Sequence, residues 1–431
     1  MAHMRSPIAV VCLILSVCVS GTAAAQQPPL PPRPDAIRVF IDCNYYCEED
    51  YLRREIPIVD YMRDRKDADV HLLVTTQSTG GGGTEYTLKF IGLGPYAGVE
   101  HTLKFSALQT ATADETRKQM AEVIKRGLIR YIADSPQAAR LEITFGSDDK
   151  TATKADPKKD PWNLWVFRTN FGGSFRGERS NKGRSIRGSA SANRTTDAWK
   201  ISFSSSTYYS EDTYELSEDE TFTSVSRDFD ANSTVVKSLT PHWSAGLLGS
   251  ATSSTYYNYR MRTRIAPGVE YNFFPYSQST RRMLTVQYTV GLDNINYHEV
   301  TIFDKTKETL TDHRLGTTLS LRQPWGTASG QVAFSQYLTH PDKYSISAYG
   351  STNVRLFKGF SFNVYTSLAR TRDQIYLPRG AATTEEILVR QHQLATGYRY
   401  SVNFGISYSF GSIFNNIVNP RFGGGGDIFF F

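Results

Sequence analysis

Hydrophobic and polar residues alternate through most of the second half of the chain. Over 394–410, Leu394, Thr396, Tyr398, Tyr400, Val402, Phe404, Ile406, Tyr408 and Phe410 share one parity, while Ala395, Gly397, Arg399, Ser401, Asn403, Gly405, Ser407 and Ser409 share the other. A period of two sends such sets to opposite faces of a strand. The rule repeats over 259–274, 282–297 and 309–323, and continues through 327–339, 344–357 and 360–377. No helical period interrupts it between Trp162 and Phe410. Turn residues divide this region into about twelve strands. The expected spans are 162–176, 184–194, 198–210, 221–239, 242–257, 259–274, 282–297, 309–323, 327–339, 344–357, 360–377 and 391–410.

The two faces differ in kind. One is rich in Tyr, Phe, Leu and Val, and the other carries small residues and many arginines. A soluble sandwich also alternates, but its outward face meets water. Lipid outside and a polar lumen inside suit the pattern better, so the segments predict a transmembrane up-and-down barrel with an even strand number. "TTDA", "TPH", "YSQSTR", "PWG" and "KG" make short turns at one end, whereas "SEDTYELSEDET", "HEVTIFDKTKE" and "PRGAATTEEILVRQ" make long loops at the other. With that topology Trp162, Trp165, Trp199, Trp243 and Trp325 gather at the short-turn end as an interfacial girdle. Tyr208, Tyr209, Tyr256, Tyr257, Tyr259 and Tyr297 gather at the opposite end.

Parity also selects lumen-lining residues. The basic set is Arg168, Arg176, Arg260, Arg262, Arg264, Arg314, Arg322, Arg355 and Arg399, and the acidic set is Asp228, Asp230, Glu270, Asp293 and Asp312. These groups can pair across the lumen and close it. Alternatively, the Arg260, Arg262 and Arg264 ladder leaves surplus positive charge along one wall, as an anion-preferring channel would.

On these residues the 162–410 region resembles the outer-membrane β-barrels of Gram-negative bacteria. Asn403, Gly405, Tyr408 and Phe410 in "NFGISYSF" resemble the C-terminal signal read by the barrel-assembly machinery in that class. The resemblance implies a bacterial outer-membrane location, with outer-membrane lipid, lipopolysaccharide and the assembly machinery as partners. The remaining residues, 411–431, then form a tail on the periplasmic side, expected to dock on the front domain or in the lumen.

The front half has another texture. "AIRVFID" reads as a strand and "EEDYLRREIPIVDYMRDRKD" as an amphipathic helix. "ADVHLLVTTQ", "TEYTLKFIGL" and "EHTLKFSALQ" are strands, "ADETRKQMAEVIKRGLIRYIAD" is a helix, and "LEITF" is a closing strand. This order predicts a small α+β domain over 36–147. A Pro-rich linker (26–35) precedes it and a charged linker (148–161) follows it. His71 and His101 fall on its strands, with solvent-facing positions as the default.

Composition changes the picture in three places. Arg5, the apolar run Pro7–Val19 and "TAAAQ" form a signal peptide over 1–25, so the mature chain is expected to be exported. Outside it only Cys43 and Cys47 remain, and a local disulfide is the favoured state in an oxidising compartment. The net charge of +6 is mild and unclustered, which gives no case for nucleic acid.

Catalytic chemistry finds little support. His313 has outward parity near the outer rim, but no G-x-S-x-G or paired serine accompanies it. No catalytic, cofactor or metal site is expected. The functional expectation is an anchoring or assembly protein, without enzymatic activity, whose periplasmic domain binds an envelope partner. A narrow porin-like channel is the alternative, and a lipid-modifying barrel enzyme is the third reading.

Overall fold

The computed structural model describes residues 35–43, 47–142, 160–217, 220–380, 396–416 and 418. The expected signal peptide, nearly all of both linkers and most of the tail lie outside the described residues.

The front domain is built on a five-stranded sheet in the order β2-β1-β3-β4-β5. Its strands are β1 (Arg38–Asp42), β2 (Asp60–Tyr61), β3 (Val70–Ser78), β4 (Thr84–Gly92) and β5 (Glu100–Ala107), with helices α1 (Glu49–Glu55) and α2 (Ala113–Ile132). β1 runs parallel to β2 and β3, and the other pairs are antiparallel. Val39, Leu72, Val74, Leu88 and Phe90 pack on Leu52, Met120, Ile124 and Leu128 from the helices. Thr112 and Glu115 form a capping box that starts α2. Gly127 lets the helix sit directly on Phe90, because a β-carbon there would come 2.0 Å from the ring.

Two expectations need correction here. The helix expected over "EEDYLRREIPIVDYMRDRKD" stops at Glu55, and that stretch also contains β2 and a short 3-10 turn over Arg65–Asp67. Pro57 is the cause, since proline cannot continue a helix and pushes the residue before it to extended backbone. Leu141 and Glu142 are not in a strand, and the rest of "LEITF" lies outside the described residues. Cys43 and Cys47 are disulfide-bonded.

The second sheet has twelve strands, β6 to β17, each antiparallel to its chain neighbours. They are β6 (Trp165–Gly177), β7 (Asn181–Thr195), β8 (Trp199–Ser217), β9 (Glu220–Ser238), β10 (Trp243–Ser254), β11 (Tyr259–Asn272), β12 (Arg282–Tyr297), β13 (Lys307–Gln323), β14 (Gly326–Tyr337), β15 (His340–Phe357), β16 (Phe360–Thr371) and β17 (Tyr398–Tyr408). Facing follows the sequence parity. On β12, Thr285, Thr289, Asp293 and Ile295 are buried, while Tyr288, Val290 and Leu292 between them are exposed.

The acidic segment expected as an outer loop is largely strand. β8 and β9 extend to Ser217 and Glu220 because Glu211 and Glu215 meet Arg184 and Lys182 of β7 at 2.8 and 3.2 Å, and Asp212 pairs with Arg176. Opposite charges across a ladder stabilise such an extension.

Among the described residues β6 and β17 share no ladder, so the barrel has a seam between its first and last strands. Both edges carry highly exposed rings, with Phe171 at 84% and Phe404 at 74%.

Candidate functional site

The site is the mouth of the barrel at which the front domain docks. Alternation explains how. Val70, Leu72 and Val74 of β3 face the helices, so His71, Leu73 and Thr75 face the other way, with Phe40 and Asp42 of β1 on the same side. That second face meets the barrel, which is why β3 is buried at six consecutive positions.

Asp42 is the centre of the junction. Its two carboxylate oxygens accept from both terminal nitrogens of Arg355 on β15, at 2.6 and 2.8 Å. His71 Nε2 lies 3.1 Å from the same carboxylate. The Arg355 guanidinium also lies over the Phe40 ring, 5.2 Å from its centroid. Burial pushes the Asp42 carboxyl up, but the hydrogen bonds from Arg355 and His71 outweigh it and bring it down to about 2. His71 is 1% exposed, which overturns its solvent-facing expectation. His101 is corrected too, being stacked flat on Phe90 at 4.7 Å.

Three further contacts surround this pair. Lys358 binds Asp67 at 2.5 Å, and the Gly359 N–H donates to Asp64 at 2.8 Å, both from the β15–β16 turn. Gly359 is required there, because its φ is +72° and a β-carbon would meet the Ser409 carbonyl oxygen at 2.1 Å. Arg322 of β13 reaches the Thr76 carbonyl at 3.4 Å. At the far side Arg168 of β6 binds Gln109, and the glycine turn before β4 presses on the β6–β7 base. One small domain therefore touches β6, β7, β13 and β15 and lies across the mouth.

The described part of the tail docks on the domain rather than in the lumen. The Asn415 N–H donates to the Tyr61 carbonyl at 2.8 Å, and the Arg63 N–H to the Ile413 carbonyl at 2.9 Å. Asn416 accepts from the Tyr61 N–H at 2.5 Å and donates to Asp60 at 2.9 Å. Met62 and Phe414 form an antiparallel bridge. The tail thus extends the sheet beyond β2, and Ile413 packs with Phe40, Met62 and Ala68.

The lumen has two unlike halves. Arg168, Ser191, Ser204, Asn232, Ser250 and Arg264 form one continuous inward-facing ladder row across β6 to β11. On the other side Arg262 binds Asp293 at 2.5 Å, and Arg264 binds Asp312 at 2.9 Å, with Arg314 on the same aspartate at 2.8 Å.

Arg262 is therefore matched by one aspartate, whereas Arg264 and Arg314 share a single one. At a bulge between Tyr259 and Met261, Tyr259 is buried and Arg260 is exposed.

Side chains pack together at the opposite end of the barrel. Tyr259, Ile295, Tyr297, Leu310 and Tyr337 form a buried cluster with Ile375 from the segment after β16. That segment is held by backbone bonds from Ile302 to Leu377 and from Arg379 to Val300, each 2.9 Å. Tyr259 and Tyr297 belong to this cluster and not to an interfacial girdle.

Other expected residues fall as follows. Asp228 and Asp230 accept from Ser254 at 2.5 Å and Thr252 at 3.0 Å, and Glu270 from Tyr276 at 2.6 Å. Arg176 and Arg399 are exposed. Trp162, Trp165, Trp199, Trp243 and Trp325 all lie at the domain end of the barrel, at strand starts or turns. Asn403, Gly405 and Tyr408 are on β17, and Phe410 follows it. His313 is held on the outward face between Tyr288 and Gln336, at 3.2 and 3.1 Å.

No family model matches the chain, and no curated protein does. Among solved structures it is similar to the NanC porin, with 8% identity and a TM-score of 0.28 over 56% of this chain and 99% of that one. It is also similar to the translocator domain of the autotransporter NalP from Neisseria meningitidis, with 11% identity and a TM-score of 0.19 over 57% of this chain and 82% of that one. A third is the beta domain of the Bordetella autotransporter BrkA, with 11% identity and a TM-score of 0.24 over 57% of this chain and 98% of that one. The likeness agrees in class with the resemblance read from the sequence. At these scores it carries no argument of its own, and the fold rests on the strand order and register.

Proposed function

We propose that the chain is an outer-membrane β-barrel that anchors its α+β domain at the periplasmic face, where that domain binds an envelope partner. The observation that carries this reading is what packs at the two ends of the barrel. The domain docks at one mouth, and among the described residues a buried tyrosine-rich cluster packs against β11 to β14 at the other. The front sheet supports it further. Its β2 edge is covered by the tail, whereas no described strand pairs with the outer edge of β5, which leaves an edge for an added strand.

Planar-bilayer recording tests the anchor. The full chain should give a flat baseline. A steady, anion-selective current through the unmodified protein would replace this reading with that of a channel.

A further inference from the structure

Two cavities meet at the docked domain. One, of about 270 Å³, is lined by Thr75 of the domain and by Arg322, Ser329 and Asn353 on the inner face of the barrel. The other, of about 300 Å³, lies on the domain side and is lined by Glu49, Arg53, Arg63 and Asn415 of the tail. Asp42 and Arg355 line both. They are the wall the two cavities share.

We propose that the Asp42–Arg355 pair is a gate between two halves of one aqueous path, leading small anions from the domain side of the mouth into the lumen. Asp42 and Arg355 meet through their side chains, so rotation of Arg355 away from Asp42 joins the cavities without unfolding either sheet. At rest the gate is shut, because separating a buried, doubly hydrogen-bonded pair leaves two charges uncompensated.

The chemistry of the lining selects the solute. Arg322, Arg355, Arg53 and Arg63 face Asp42 and Glu49, so guanidinium groups outnumber carboxylates along the path. Among the described residues the Arg63 side chain binds the carbonyls of Phe410 and Gly411, and that of Arg322 the carbonyl of Thr76. Arg53 binds Glu49 and Asp50 through its terminal nitrogens, while its buried Nε has no acceptor among the described residues. An entering carboxylate or phosphate offers Arg355 the same planar pair of acceptors that Asp42 does, and so competes for it directly. The gate is independent of any partner bound by the domain, and it opens the lumen from the domain side only, since the outer cluster lies beyond it.

Cysteine accessibility tests this. Ser329→Cys places a thiol in the lumen-side cavity, while Cys43 and Cys47 are bonded and silent. The protein is reconstituted in vesicles with the domain outward. It is treated with a membrane-impermeant thiosulfonate carrying a sulfonate, or with its trimethylammonium counterpart, and the background is set by protein lacking Ser329→Cys. Labelling should be slow in the parent. Asp42→Asn should raise the rate at least tenfold, with the anionic reagent favoured. Arg355→Gln should raise it too, but without that preference. Arg355→Gln leaves every contact inside the domain in place, so faster labelling there reports the gate and not a damaged domain. Fast labelling in the parent, or equal rates in all three proteins, would overturn the proposal.

Discussion

Burial alone would leave the Asp42 carboxyl easier to protonate than a free one. Arg355 and His71 reverse this and hold it at about 2. A depressed carboxylate stabilises the fold above its unfolded value, near 4, and that stabilisation is lost as pH falls through about 2. The size is about 2 kcal/mol for a shift of this order. We therefore expect the unfolding free energy of the parent to exceed that of Asp42→Asn at about pH 5. The gap should close by about 2 kcal/mol as the pH is taken to about 2. Urea titrations of both proteins across that range measure it, and a gap that stays constant would show that Asp42 is not held by these partners. Nothing local in "FIDC" marks Asp42 for this role. Its partner is 313 positions away, and period-two alternation says only that the two residues lie on inward or second faces.

Strands were legible and their company was not. All twelve barrel segments appear near where alternation predicts them, because a lipid face and a polar face leave a period-two record in every strand. The strand expected over 360–377, however, stops at Thr371, and Ile375 beyond it packs into the tyrosine cluster. The failures came where tertiary contacts override that record. β8 and β9 run through acidic residues that look like a loop until Arg184 and Lys182 are set beside them. Tyr259 sits on the apolar parity and is still buried, at a bulge. In the front domain, His71 of β3 was expected to face solvent, because nothing in the strand's own sequence says that a barrel mouth covers its second face.

The tail shows the same limit at element scale. "SIFNNIVNPRF" has no strand alternation, yet 413–416 adds to the edge of β2 through backbone bonds and Asn416. Ending the chain after Phe410 removes these bonds and the burial of Ile413 while retaining Asn403, Gly405, Tyr408 and Phe410. We expect membrane insertion to persist and the domain to loosen by about 2–3 kcal/mol, the scale of a few hydrogen bonds and one apolar side chain. Limited proteolysis of the domain should then quicken by one to two orders of magnitude. Failure to insert would move the assembly signal to the terminal Phe431.

At the scale of the whole molecule the seam is the unresolved interaction. Facing a bilayer, the free edges of β6 and β17 would expose rows of N–H and C=O groups, each costing several kcal/mol in hydrocarbon. The exposed rings of Phe171, Phe175, Phe404 and Tyr400 lie on the outward face beside these edges, so lipid is their natural medium. The two strands are the first and last of an even set and run in opposite directions, which suits direct antiparallel pairing. One register must then win, because a slip by a single residue would send those rings into the lumen. Asn170→Cys combined in turn with Ser401→Cys, Asn403→Cys or Gly405→Cys tests this, since all four positions have inward parity. In membranes, one combination should form a disulfide efficiently and the others poorly, given the narrow Cβ separation a disulfide accepts. If none of the three forms, β6 and β17 are not neighbours in the bilayer, and the edge of β17 is left to a strand from another chain.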